Sequence, residues 1–245
     1  MTTSASSDST AEEILRTGGE LRGADFTGCD LRTLLRDEPA LPPRVLRECV
    51  FAGADLSRTH LAGVVFADCD LSEARFDGAL LDGASIERGR AANARFLEAE
   101  CADAVFSGVD LAGTRWTGAL LADASFTGCR LTGADLRSCR GVGYRFADSN
   151  LTLARLDGID LHGQTLTGLR MDEAVLAEAN LSATVWVRSR LRGALLQDTD
   201  LTGADLRDAD LGEIALERAH ELRGATISPD QATTLLAAIG VRVSA

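Results

Sequence analysis

The chain of 245 residues carries 25 basic and 37 acidic residues, for a formal net charge of −12 and an isoelectric point near 4.7. Such an excess of negative charge argues against nucleic acid or an anionic membrane as a partner, while it allows a basic protein partner. Only 4% of the residues are aromatic, so smaller apolar side chains must fill most of the core.

The first segment, residues 1–18, has neither the basic nor the apolar region of a secretion signal. No stretch of the chain approaches the roughly 18 apolar residues of a membrane span. Six cysteines without a CxxC spacing fit a reducing compartment, so a cytoplasmic protein is expected. Thr10 and Glu13 occupy the positions of a capping box and predict a short N-terminal capping helix through Leu15.

From Phe51 to Leu216 the sequence repeats every five residues without a slip in register. Of these 34 pentads, only those centred on Ala91, Cys101 and Gly141 lack a large central side chain. A small residue stands two positions before most centres, and a glycine or a charged residue often stands two positions after. A period of five fits neither an α-helix nor a plain strand, and it predicts a chain that turns a corner every five residues.

The pentads resemble those of the pentapeptide-repeat family, whose motif is A(D/N)LXX. The motif is nearly verbatim at Ala54-Asp55-Leu56, Ala134-Asp135-Leu136, Ala179-Asn180-Leu181, Ala204-Asp205-Leu206 and Ala209-Asp210-Leu211. This resemblance covers roughly residues 19–227. It implies an all-β fold, a right-handed quadrilateral parallel β-helix with four pentads in each coil.

Residues twenty apart in such a coil lie over one another, and the sequence shows matching columns. One column, which we predict to gather the aromatic rings on a single wall, runs Phe26, Phe66, Ile86, Phe106, Phe126, Phe146, Leu166, Trp186 and Leu206. Its rings Phe66, Phe106, Phe126, Phe146 and Trp186 form the expected core ladder. Another column contains Cys29, Cys49, Cys69 and Cys129, for which stacked buried thiols are a better explanation than a metal site.

Two segments interrupt the pattern. Residues 33–48 hold three prolines within five positions, so we predict a loop or a distorted coil that either covers the edge or contacts a partner. In the middle of the repeats, Gly141 removes a core side chain while Tyr144 occupies a position normally held by a small residue. We predict that the Tyr144 ring partly fills this space and that the wall bulges locally.

The register shifts by one after Leu216, and a different element begins. Ser228 to Gln231 combine an N-cap, a proline and a capping-box glutamine, which predict a helix that runs to Ile239 and ends at Gly240. Residues 228–245 would cap the last coil and, as the resemblance implies, join two chains end to end in a homodimer. The apolar residues expected to do so are Leu235, Leu236, Ile239, Val241 and Val243.

The sequence does not favour catalysis. Its three histidines, His60, His162 and His220, all stand at outward positions, and no nucleophile–base constellation, phosphate loop or zinc pattern is recognisable. Flat walls also offer no concave substrate pocket. We therefore expect a binding protein without a cofactor or metal, rather than an enzyme.

Negative charge is concentrated on one of the four predicted walls. The wall centred on Leu61, Leu81, Cys101 and Leu121 carries one arginine, Arg140, whereas the other three walls are nearly balanced. Its six acidic residues, which we predict to bind the partner, are Asp82, Glu100, Asp103, Asp123, Asp160 and Asp200. A narrow rod with a line of negative charge reproduces two features of duplex DNA.

The resemblance extends to the gyrase-protecting branch of the family, which is linked to resistance to fluoroquinolones and topoisomerase toxins. It implies a DNA-mimicking protein that binds DNA gyrase or another type II topoisomerase and modulates it or protects it from inhibitors. The alternative is a non-enzymatic scaffold or interaction protein with another partner. In that case the outward acids only keep the rod soluble.

Overall fold

In a computed structural model, residues 12–35, 44–213, 216–238 and 240–243 are described, and residues 12–17 form a short helix, α1. The strands are β1 (Gly19–Arg22), β2 (Arg44–Arg47), β3 (Val65–Ala67), β4 (Ser85–Glu87), β5 (Val105–Ser107), β6 (Ser125–Thr127), β7 (Arg145–Ala147), β8 (Thr165–Thr167), β9 (Val185–Arg190) and β10 (Asp205–Asp210). They form one sheet in chain order, and every neighbouring pair is parallel.

The fold is the predicted four-walled parallel β-helix. Consecutive strands pair with a step of twenty residues, so that Phe106 lies beside Phe126. Parallel bridges with the same step mark the other three walls, for example Leu80 beside Glu100. Each coil therefore lies on the previous one at the ordinary strand spacing of about 4.8 Å.

The corners explain which residues the pentads prefer. The residue two positions after a centre takes a left-handed conformation, as Gly113 (φ 66°) and Asp103 (φ 57°) do. Glycine adopts this conformation without strain, and aspartate tolerates it better than most side chains. Because the corner turns here, the side chain of such an aspartate projects away from the core.

The narrow core contains two columns of stacked rings, not the single aromatic wall we predicted. Phe106 and Phe126 are parallel at 4.7 Å between centroids, and Phe96 and Trp116 are parallel at 4.1 Å on the opposite wall. The two columns meet edge to face, as Phe106 and Trp116 do at 5.3 Å. The predicted ladder residues Phe66, Phe106, Phe126, Phe146 and Trp186 are all buried. The second column, Phe76, Phe96 and Trp116, also has a twenty-residue spacing and was visible in the sequence.

The first coil is longer than the others. Leu21 pairs with Leu46, a step of 25 residues. Phe26 consequently stacks on Phe51, with centroids 5.0 Å apart. The prediction that Phe26 belongs to the column of Phe66 is wrong, because Leu46 takes that place.

The same shift corrects the cysteine column. The carbonyl of Cys29 accepts a hydrogen bond from the amide of Asp55, so Cys29 does not lie under Cys49. Strand β2 falls inside the range 33–48 that we predicted as a loop or distorted coil. The proline-rich part of that range, residues 36–43, lies outside the described residues.

The break in the middle of the rod involves Gly141 and Tyr144, as expected. The Tyr144 ring is buried with 3% of its surface exposed, and its hydroxyl accepts a hydrogen bond from the amide of Asp160 at 3.2 Å. The Gln164 side chain donates to the Tyr144 carbonyl at 3.0 Å. Gly141 has moved against the neighbouring coil, where a Cβ would lie 2.6 Å from the Ala122 nitrogen.

Helices stand at both ends of the coil. Helix α1 buries Leu15, although the predicted cap Thr10 lies outside the described residues. At the other end, a 3₁₀ helix (Leu216–Leu222) precedes α2 (Pro229–Ala237), whose N-terminus has the predicted capping box between Ser228 and Gln231. Helix α2 ends before the predicted Ile239, which also lies outside the described residues. No helix in the described part of the chain is long and apolar enough to cross a bilayer.

Candidate partner-binding wall

The acidic wall is the side of the coil on which Leu61, Leu81, Cys101 and Leu121 are buried in the core. The register places all six predicted acids on it, in five layers of the coil: Asp82, Glu100 with Asp103, Asp123, Asp160 and Asp200. Five of the six are exposed, and Asp82 is half-buried. From the first to the last, the acids cover six coil steps, or about 29 Å at strand spacing.

These carboxylates lack basic partners. Across the described ranges, none of the six forms an ion pair with an arginine or histidine nitrogen within 4.0 Å. The one arginine of the wall, Arg140, instead donates to the carbonyl of Gly118 at 2.8 Å. Close ion pairs therefore do not neutralise these six carboxylates in the described ranges, although attraction from His162 contributes to lowering the pKa of Asp200.

Each of the other walls has ion pairs that cancel part of its charge, although in the described chain exposed acids such as Glu73, Glu98 and Glu173 are unpaired there too. Arg90 contacts Asp70 at 2.7 Å across one coil step, and Arg95 contacts Asp77 at 2.8 Å. On the wall of β10, the Arg207 side chain forms hydrogen bonds that lower the pKa of Asp205 to about 2. Exposed pairs of this kind contribute little stability, but they do cancel charge locally.

Local hydrogen bonds orient several acids of the acidic wall. Asp160 accepts the amide of His162 at 3.0 Å, and Asp82 accepts the amide of Ala102 in the next coil at 3.2 Å. Hydrogen bonds from the Thr202 hydroxyl and amide lower the pKa of Asp200 and keep it ionised. Hydrogen bonds therefore orient three of the six carboxylates of this wall.

One polar contact on this wall bears on catalysis. The His162 Nδ1 lies 2.8 Å from the Ser182 hydroxyl, which sequence reasoning did not identify. The same hydroxyl donates to Asn180 Oδ1 at 2.6 Å, so its proton points away from the imidazole. A serine activated by a histidine base requires the opposite arrangement. Among the described residues, no group of three or more potential ligands could hold a metal ion.

Sequence reasoning also did not single out Val142, which lies between Gly141 and Gly143 in the coil where the regular pattern is broken. It is 70% exposed, the most of any exposed large apolar side chain in the described ranges. Its carbonyl accepts the Asp123 amide at 2.9 Å, so it lies one layer from an acid of the wall. The flanking glycines were the signal that could have drawn attention to it.

The predicted cap and dimer residues are largely uncovered. No residue of α2 is buried, and of its apolar residues Leu235 packs partly against the core. Val241 is 45% exposed and Val243 is 53% exposed. The end of the rod is held by Gln231, whose side chain donates to the carbonyls of Leu206 and Ala209 at 2.8 and 2.6 Å.

A parallel coil with a five-residue period defines a β-solenoid repeat protein, and comparison with known families assigns it more narrowly. The profile of the pentapeptide repeats matches with eight copies over residues 46–88, 99–139, 145–182 and 174–212. The chain belongs to the pentapeptide-repeat family. The comparison with curated proteins finds no significant match.

Solved structures of the family share the fold. HetL, a pentapeptide repeat protein involved in heterocyst differentiation regulation in the cyanobacterium Nostoc sp. strain PCC 7120, is 25% identical. That alignment covers 78% of this chain and 86% of HetL, with a TM-score of 0.54. Full-length QnrB1, a plasmid-mediated fluoroquinolone resistance protein, is 17% identical over 91% of this chain and all of QnrB1, with a TM-score of 0.62.

Proposed function

We propose that this protein is a non-enzymatic DNA mimic that binds DNA gyrase or another type II topoisomerase and protects it from inhibitors such as fluoroquinolones. The observation that carries the proposal is the row of unpaired carboxylates on the acidic wall. Arginines cancel part of the negative charge on each of the other walls, whereas the acidic wall has one arginine and no ion pair among the described residues, so its charge is the most concentrated. Resemblance in fold to a fluoroquinolone resistance protein supports the choice of partner.

The charge density sets a limit on how well the acidic wall imitates DNA. Six carboxylates over about 29 Å give roughly one charge per 5 Å, whereas duplex DNA has one per about 1.7 Å. A single wall therefore competes weakly for a basic groove. Two chains joined end to end would double the length of the charged row, which is why we propose a homodimer as the active form.

A charge reversal tests the acidic wall. Asp103→Arg with Asp123→Arg should weaken protection of gyrase by about tenfold or more, since opposite charges in a basic groove become repulsive. The readout is gyrase supercoiling with and without a fluoroquinolone. Circular dichroism should show an unchanged fold, because both side chains are exposed at corners.

The matched control reverses Glu73 and Glu173 to arginine. These glutamates also sit exposed at left-handed corners, with φ of 59° and 56°, but they belong to the wall centred on Leu71. The net charge changes equally in both double variants. Equal loss of protection in both would show that only overall charge matters, and no effect of the wild-type protein on gyrase would exclude the proposed partner in favour of another basic protein.

The dimer has its own test. Val241→Asp with Val243→Asp should convert a dimer of twice the 25.8 kDa chain mass into a monomer, because charge would be introduced into an apolar contact. Light scattering after size exclusion measures the mass. Leu153→Asp, at a residue that is 52% exposed on the side of the rod, should leave the dimer intact. A wild-type protein that is monomeric at all concentrations would contradict the proposal.

A further inference from the structure

Two thiols are stacked near the N-terminal end of the rod. Cys49 and Cys69 are both buried in the core, with 0% and 3% of their surface exposed. The Asp70 amide donates to the Cys49 carbonyl at 2.9 Å, so residues 49 and 69 occupy the same position in successive coils. Within the described chain, no other two of the six cysteines are stacked in this way.

The two thiols point along the rod in the same direction and interact. The Cys69 Sγ lies 3.3 Å from the Leu46 carbonyl, in the coil that carries Cys49, and the Cys49 Sγ lies 3.7 Å from the Leu21 carbonyl one coil further down. The side-chain hydrogen bond that the thiols share lowers the pKa of Cys49 to about 7 and raises the pKa of Cys69. One thiol of the pair therefore ionises near neutral pH, and the thiolate is the form that reacts with oxidants.

The distance between the coils suits a reversible disulfide. Neighbouring coils place the two Cα atoms about 4.8 Å apart, within the span of roughly 4.4–6.8 Å that disulfides bridge. Side chains that leave parallel strands in the same direction keep their Cβ atoms at about the same separation, slightly beyond the roughly 3.5–4.5 Å of a relaxed disulfide. A bond between these coils is therefore strained, and strained disulfides are the more easily reduced ones.

Small neighbours flank the pair on both sides. In the first coil, half-buried Ala24 lies beneath Cys49, and its carbonyl accepts the Val50 amide at 2.9 Å. In the coil above, Gly89 stands over Cys69, and a Cβ there would lie 2.5 Å from the Cys69 carbonyl oxygen. Only the first coil separates Cys49 from the end of the coil stack, and terminal elements open at the lowest free energy. Local opening there gives a small oxidant access to the thiols.

We propose that Cys49 and Cys69 are a modification site at which hydrogen peroxide closes a reversible disulfide between the second and third coils. Peroxide oxidises the Cys49 thiolate to a sulfenic acid, and the hydroxide that leaves takes up the proton of the original thiol to form water. The Cys69 thiol then attacks the oxidised sulfur, the S–S bond forms and a second water leaves. Two thiols and one peroxide thus give one disulfide and two waters. The site does not depend on the partner of the acidic wall.

Peptide mapping tests the proposal directly. Trypsin cleaves after arginine and places Cys49 in peptide 48–58, Cys69 in peptide 59–75 and each other cysteine in a peptide of its own. After the folded protein is treated with hydrogen peroxide and its free thiols are blocked, mass spectrometry should find these two peptides joined and lighter by two hydrogen atoms. Dithiothreitol should then restore both thiols. Two thiols that stay free, or a disulfide between other cysteines in place of this one, would overturn the inference.

Serine variants provide the matched controls. Ser149 occupies the same column and donates to the carbonyls of Phe126 and Ala147, so serine preserves the contacts of a cysteine at this position. Cys49→Ser and Cys69→Ser should each abolish the disulfide, whereas Cys129→Ser, in the same column, should form it as the wild type does. Loss of the disulfide in Cys129→Ser as well would contradict the assignment to this pair. Circular dichroism should show the same fold in all three variants.

Discussion

At the scale of single residues, Tyr144 shows how far sequence reasoning reaches. A large residue at a position normally occupied by a small one, three residues after a glycine at a core centre, was enough to predict a buried ring. The hydrogen bond from the Asp160 amide to its hydroxyl could not be predicted, because it depends on how far the two coils separate. The exposure of Val142 follows from the same separation.

Replacing the Tyr144 hydroxyl alone tests its role. Tyr144→Phe keeps the ring and leaves the Asp160 amide without its acceptor, so the free energy of unfolding should fall by about 0.5–1.5 kcal/mol. Urea denaturation measures the change, and hydrogen exchange should show faster exchange at the Asp160 amide. Unchanged protection of that amide would mean that the hydroxyl does not stand in for the missing ladder bond.

At the scale of strands and coils, the five-residue period predicted the corners, while the resemblance to the pentapeptide-repeat family supplied four pentads per coil and with them the walls, the step of twenty and the contact between Phe106 and Phe126. The strand pairing of the first coil was predicted wrongly. A shift of its register against the next coil by one whole pentad still leaves every large residue pointing inward, so the hydrophobic pattern does not reveal it. Leu46 and Phe51 both fill a core position, so the hydrophobic pattern allows Phe26 to lie under either. The strand pairing of β1 with β2 decides between them.

The stacked rings give the clearest prediction at this scale. Phe106 lies 4.7 Å from the Phe126 ring and 5.3 Å from Trp116, so Phe106→Ala leaves a cavity with rigid sides. The loss should be about 3–5 kcal/mol in the free energy of unfolding, measured by urea denaturation. Val105→Ala, on the outer face of the same strand, should change it far less. Similar losses in both variants would contradict the inward stacking of the ring.

At the scale of the whole molecule, sorting the sequence into four walls predicted where the acidic residues would concentrate. It could not predict which of them pair with arginines, because pairing depends on side-chain reach across a coil step. The structure separates the walls on this criterion: Arg90 and Asp70 neutralise one another, whereas Asp103 and Asp123 have no such partner. This difference makes the acidic wall a candidate for binding and not only a solvated surface.

Competition with DNA tests that account most directly. Increasing concentrations of the protein should raise the apparent dissociation constant of gyrase for a labelled duplex in direct proportion, because one basic groove cannot hold both. The Asp103→Arg, Asp123→Arg variant should compete about tenfold more weakly. A stable complex that contains gyrase, the duplex and the wild-type protein together, with unchanged affinity for the duplex, would contradict DNA mimicry.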